Sequence, residues 1–130
     1  MQILQPPGWP RPRGYANGIA AEGRLVFVAG QIGWDASETI VSDDLVEQFR
    51  QTLENTLAVL REAGAGPEHV ARMTWYFTDK REYLARAREL GEVWRELMGR
   101  HYPAMAVVEV KALIEDRAKI EIETTAVLPK

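Results

Sequence analysis

The chain has 130 residues, a formal net charge of -3 and no cysteine, with acids and bases interspersed along its length. That length suits one domain with a real apolar core. The charge pattern lacks the basic stripe of a nucleic-acid surface, and the missing thiols exclude disulfides, thiolate metal sites and cysteine nucleophiles.

Pro6, Pro7, Pro10 and Pro12 keep residues 1–14 out of regular helix, so this stretch reads as an extended arm over the surface. It holds no apolar core of a secretory signal, and no apolar run nears the about 20 residues needed to span a membrane. The expectation is a single soluble, cytoplasmic domain over residues 1–130. Two short apolar runs, 18–22 and 24–29, flank Glu22-Gly23 and predict a hairpin. Gly30 and Gly33 then mark a loop.

Leu45, Phe49, Leu53, Leu57 and Leu60 recur at steps of three and four, which predicts an amphipathic helix over 44–63. Ser42, Asp43 and Asp44 offer capping oxygens, and Gly64 offers a stop. Met73, Trp75 and Phe77 alternate with Arg72, Thr74 and Tyr76, a strand period over 72–78. Asp79 and Glu82 form a capping box. It opens a second helix through Tyr83, Ala87, Leu90, Trp94 and Leu97 that ends near Gly99. Two adjacent strands, about 105–112 and 118–127, separated by a short turn, complete the chain.

The predicted order, β-β-α-β-α-β-β, is an α+β fold in which two helices cover one face of the sheet. On the last strand Ile120, Ile122 and Ala126 point to the core, while Glu121, Glu123 and Thr125 point away. A half-polar, half-apolar open face is a candidate subunit interface.

Few residues announce chemistry. There is no phosphate loop and no Gly-x-Ser-x-Gly. His69 and His101 lie in separate turns without ligand spacing, so no metal and no cofactor are expected. Trp75 and Trp94 fall on apolar stripes and read as structural. Trp9 and Trp34 lie in loops and are candidates for a pocket mouth.

Several short segments carry a resemblance: Val26-Phe27-Val28-Ala29-Gly30-Gln31, Thr78-Asp79, Tyr102-Pro103-Ala104, Val108-Glu109-Val110 and Lys119-Ile120-Glu121-Ile122-Glu123. In this order and spacing, from about Arg13 to Val127, the chain resembles the RidA (YjgF-type, L-PSP) family. The resemblance implies a chorismate-mutase-like fold, a homotrimer, and a small-molecule ligand in a cleft between subunits, with no cofactor needed; hydropathy and charge argue for no membrane and against nucleic acid. Active deaminases of the family hydrolyse the enamine or imine of a 2-oxo acid, and their pattern near this position runs Phe-Pro-Ala-Arg-Ser-Cys. Here Met105, Ala106 and Val107 stand in place of the arginine, serine and cysteine, and Ala29 replaces another serine. The resemblance therefore implies a branch lacking the substrate-binding arginine.

The same resemblance puts Glu121 where a glutamate positions the hydrolytic water, and puts Tyr15, Gly30, Met105, Ala106 and Val107 around the ligand. Each has a plainer reading. Glu121 could pair across strands with Lys111, and Glu109 with Lys111 on one strand face. Tyr15 could pin the arm to the sheet, Gly30 could be a strand-ending turn, and Met105 a flexible core filler. Arg13 and Arg72 are candidates to replace the missing cation. The expected function is an imine or enamine deaminase, a hydrolase, whose pocket does not suit standard 2-imino acids. The alternatives are a non-catalytic trimer that binds a metabolite or partner protein, and the family's older label of ribonuclease or translation inhibitor, against which the acidic balance argues.

Overall fold

The apolar stripe of residues 44–63 forms a helix, and its ends follow from its capping residues. The computed structural model describes residues 1–130. Helix α1 spans Leu45–Glu62. The Asp44 carboxylate accepts the Glu47 N–H at 3.1 Å, and Gly64 turns the chain out with φ of 76°. The strands are β1 (Gln2–Leu4), β2 (Gly18–Ala20), β3 (Arg24–Gln31), β4 (Val70–Phe77), β5 (Ala104–Glu109) and β6 (Ile120–Leu128). Helices α2 (Lys80–Ala85) and α3 (Ala87–Met98) link β4 to β5.

Four strands make a mixed sheet in the order β3-β6-β4-β5, with β4 and β5 parallel and the other pairs antiparallel. Strands β1 and β2 form a separate two-stranded ribbon. The helices lie on one face of the large sheet. Phe49 of α1 meets Trp75 of β4 edge to face, with centroids 5.0 Å apart, and Trp94 of α3 lies 5.7 Å from the same indole.

Four sequence expectations are corrected. The predicted hairpin of 18–22 with 24–29 does not form: β2 pairs with β1, and β3 pairs with β6. The longer strand β6 offers Ala126 and Thr124 opposite Val26 and Val28, a larger pairing than the local turn could give. The last two strands are not neighbours, because β4 lies between β5 and β6. The predicted second helix is two helices that meet at Arg86 (φ -106°, ψ 10°). The Arg86 guanidinium bridges Asp44 and Glu89, each at 2.8 Å, and so ties this joint to the start of α1. That hydrogen bond from Arg86 holds the Asp44 carboxyl below its usual range. The capping box is half made. Asp79 accepts the N–H groups of Arg81 and Glu82, while the Glu82 carboxylate is taken by Lys119 Nζ at 3.1 Å.

A buried amide fixes the loop before β6. Gln48 is fully buried on α1. Its Nε2 donates to Ser42 O at 2.8 Å and Arg117 O at 3.0 Å, and its Oε1 accepts the Lys119 N–H at 2.8 Å. Each polar atom of the side chain is therefore satisfied inside the protein, as burial demands. Replacing it with an apolar isostere leaves the partner groups unpaired. Gln48→Leu is expected to lower the unfolding free energy by about 3 kcal/mol in urea denaturation. A loss under about 1 kcal/mol would show that water satisfies the loop instead.

Candidate functional site

The site residues fall on two faces of the sheet, and strand register decides which. Ala104, Ala106 and Val108 pair with Arg72, Thr74 and Tyr76 of β4, which pair in turn with Thr125, Glu123 and Glu121 of β6. Paired residues share a face. Ala106 and Glu121 therefore lie on the face away from the helices. Met105 and Val107 pair with Met73 and Trp75 and lie on the helix side.

On the helix side, Met105 and Val107 open into a cavity of about 500 Å³ between the β5 edge and α3. Trp75, Trp94, Tyr83 and Tyr102 line its depth, and Gly91 of α3 lines one side. Both indole N–H groups are turned to the protein: Trp94 Nε1 donates to His101 O at 3.2 Å, and Trp75 Nε1 lies 3.5 Å from Met73 Sδ. The cavity thus meets the indoles through carbon. Burial pushes the Tyr83 phenol above its usual range. Arg13, Tyr15 and Arg95 stand around the opening, and no carboxylate lines it. The arm is held there by the backbone, since the Ala16 N–H donates to Pro103 O at 2.9 Å just before β5.

Glu121 and Gly30 meet on the opposite face. Between Val28 and Gln31 strand β3 holds one residue more than β6, a β-bulge. The bulge brings Gly30 against Glu121, where a β-carbon on residue 30 would lie 2.8 Å from Glu121 Cδ. Any larger residue at 30 would push the Glu121 carboxylate out of this position. Nearby, the Tyr76 hydroxyl donates to Glu123 Oε1 at 2.7 Å. This hydrogen bond to a carboxylate holds the phenol above its usual range. Arg72 lies on this face too, in a shallow depression with Phe27, Thr74, Glu123 and Thr125.

The alternative ion pairs read from the sequence are absent. Lys111 lies beyond the end of β5, and β4 separates β5 from Glu121. The Glu109 carboxylate accepts the Lys80 N–H at 2.7 Å, at the start of α2, instead of meeting Lys111. His101 is half-buried, and its Nε2 is 2.6 Å from Val70 O. No group of three or more His, Asp or Glu side chains is placed to hold a metal ion. No helix is long and apolar enough to cross a membrane.

Comparison with known proteins matches this geometry to one family. The family model described as Endoribonuclease L-PSP covers residues 10–128. A RutC family protein of Synechocystis is 40% identical over 132 residues, 99% of this chain and 98% of the relative. The solved structure of the conserved Rid family protein YyfB from Yersinia pestis superposes with a TM-score of 0.86 at 31% identity, covering 98% of both chains. That of Escherichia coli TdcF with bound serine gives a TM-score of 0.69 at 30% identity, covering 98% of this chain and 99% of that one. The chain belongs to the RidA (YjgF, L-PSP) family.

Within this RidA chain, sequence reasoning missed most of the cavity lining. Trp75 and Trp94 read as structural, and they are, but they also form the cavity wall. Trp9 and Trp34, the candidates for a pocket mouth, do not line it. Arg95 and Gly91 carried no signal, because α3 is placed over the β5 edge only by the tertiary fold. The open face supplies a test. Below about pH 10 the Tyr76–Glu123 hydrogen bond is intact, and it is lost as the pH rises through the raised phenol value. Absorbance titration of the four tyrosines should show late-ionising phenols, and Tyr76→Phe should remove one of them. An unchanged late component would show that Tyr76 does not donate to Glu123.

Proposed function

We propose that this protein is a RidA-type hydrolase of imines or enamines, acting as a homotrimer with its ligand clefts between neighbouring copies. One observation carries the reading. Met105, Val107 and Tyr15 border a cavity on the helix side, while Glu121, Gly30 and Ala106 lie on or beside the open face. A single chain cannot bring these two groups around one small molecule, but a second copy packed against the first can. The open face suits such packing, since Leu25 is 56% and Phe27 72% exposed there, far beyond what an isolated sheet face gains from water. Serine bound to the TdcF relative supports a small carboxylate-bearing ligand.

The chemistry needs water and a base. Water adds to the carbon of the C=N bond, forming a C–O bond, and the Glu121 carboxylate takes the proton. The protonated carboxyl returns that proton to the nitrogen, giving a carbinolamine. The carboxylate then takes the hydroxyl proton as the C=O bond forms and passes it to the nitrogen as the C–N bond breaks, so ammonia leaves with a 2-oxo acid as product. The Gly30–Glu121 contact fixes where that carboxylate points, and positioning is a large part of such catalysis. Met105 supplies neither charge nor donor, so a three-carbon imino acid lacks the clamp that an arginine gives. A binding protein without turnover is the second reading, and the Met105 thioether is the observation that favours it.

Light scattering should give a mass three times that of the chain, and a monomer would defeat the proposal. Ammonia release from a 2-imino acid with a large apolar side chain, generated in situ, should exceed the spontaneous rate, while 2-iminopropionate should gain little over it. Glu121→Gln should reduce that excess by about 10²-fold or more. Met105→Arg should improve small 2-imino acids by at least about tenfold, the worth of one charge-assisted hydrogen bond. Saturable binding of small carboxylates with no acceleration of any imine would instead establish the second reading.

A further inference from the structure

We infer that the cavity beneath α3 takes a carboxylate with an aromatic or other large apolar body, its acid group held at the mouth by Arg13 and Arg95. The inference rests on the preceding reading for which cavity faces the reaction, but not for the binding itself.

Size comes first. At roughly 30 Å³ of liquid volume per water-sized group, a three-carbon acid of six heavy atoms leaves more than half of the 500 Å³ empty. Lining comes second. Met105, Val107, Trp75 and Trp94 present carbon and sulfur to the interior, and both indole N–H groups are used elsewhere. An acid group pushed into that interior would lose its water and find only the uncharged Tyr83 and Tyr102 phenols there, with no cation, which is costly. An apolar body would gain there, and a flat ring could lie against the indole and phenol faces.

The cations are at the rim instead of inside. Arg13 and Arg95 make none of the chain's ion pairs. No Asp or Glu lines the cavity to compete for them. Gly91 strengthens the point. A glycine within a helix is unfavourable relative to alanine. Here a β-carbon at residue 91 would sit 3.4 Å from Arg95 Nη1. That is ordinary contact distance, so the missing side chain matters for the cavity, which Gly91 lines and which any larger residue would narrow. The charge that Met105 lacks is thus restored farther out, where it fits a longer molecule.

Quenching of tryptophan fluorescence reads binding directly, because Trp75 and Trp94 form the wall. The probes are phenylpyruvate, pyruvate and the uncharged 3-phenylpropan-1-ol. Phenylpyruvate should bind at least about tenfold tighter than pyruvate and tighter than the alcohol. The double variant Arg13→Ala/Arg95→Ala should weaken phenylpyruvate by about tenfold or more, the equivalent of one charge-assisted hydrogen bond, and leave the alcohol unchanged. Arg95→Lys should retain part of the affinity. Gly91→Leu, with melting temperature confirming the fold, should exclude phenylpyruvate and spare pyruvate. Equal affinity for the two acids, or a double variant that binds phenylpyruvate as before, overturns the inference. Tight phenylpyruvate binding without hydrolysis of any imine would sink the catalytic reading and leave this one standing.

Discussion

Parallel strands cannot be joined by a tight turn. The pairing of β4 with β5 therefore demands a crossover, and α2 and α3 are that crossover. This constraint shapes the rest of the molecule. It sends β5 to the sheet edge, hangs α3 above it, and leaves a gap between them that side chains only partly fill. It also sets the alternation along Ala104–Glu109, with odd positions on the helix side, Met105 and Val107 at the gap among them, and even positions facing away. Sheet geometry alone thus divides the residues of one short motif between two surfaces.

The packing that stabilises the crossover also builds the cavity. Trp75 is the hinge of this arrangement: Phe49 of α1 and Trp94 of α3 meet it from two helices, and Trp94 in turn stacks on Tyr102 with centroids 6.3 Å apart. Large rings dominate burial energetics, yet they tile irregular space poorly, and the unfilled remainder lies against α3. Arg86 and Gln48 hold the frame from the polar side. One bridges the α2–α3 joint to α1, and the other ties α1 to the backbone before β6. Core and binding surface share residues here, so a mutation that enlarges the cavity also removes support from the sheet.

Charge is distributed by the same logic. The interior cavity wall is mostly apolar and holds no charge, and an unpaired ion there would lose its hydration. Cations sit at the rim, where water still reaches them, and carboxylates sit on the other face, where Glu123 is paired with a phenol and Glu121 is hemmed in by a bulge. The bulge sets Gly30 beside Glu121, and its missing side chain leaves the space that the carboxylate occupies.

Much of this was legible in the chain. The 3.6-residue period of α1, its Asp44 cap, and the alternation of Met73, Trp75 and Phe77 follow from local chemistry, and the structure repeats them. The Met-Ala-Val replacement at residues 105–107 was visible for the same reason, since it is a matter of residue identity alone. The partners were not legible. The hairpin signal at Glu22-Gly23 lost to pairing with a strand a hundred residues away, and the two final strands were parted by β4, because long-range pairing is paid for by burial that no local window contains. The break at Arg86 needed Asp44 to be near. Sequence by itself fixed which surfaces each element would present, since side-chain direction is set by backbone period. Only the tertiary structure decided what those surfaces face, that Arg13 and Arg95 share one opening, and that Gly30 touches Glu121, because contacts between distant residues depend on topology and register.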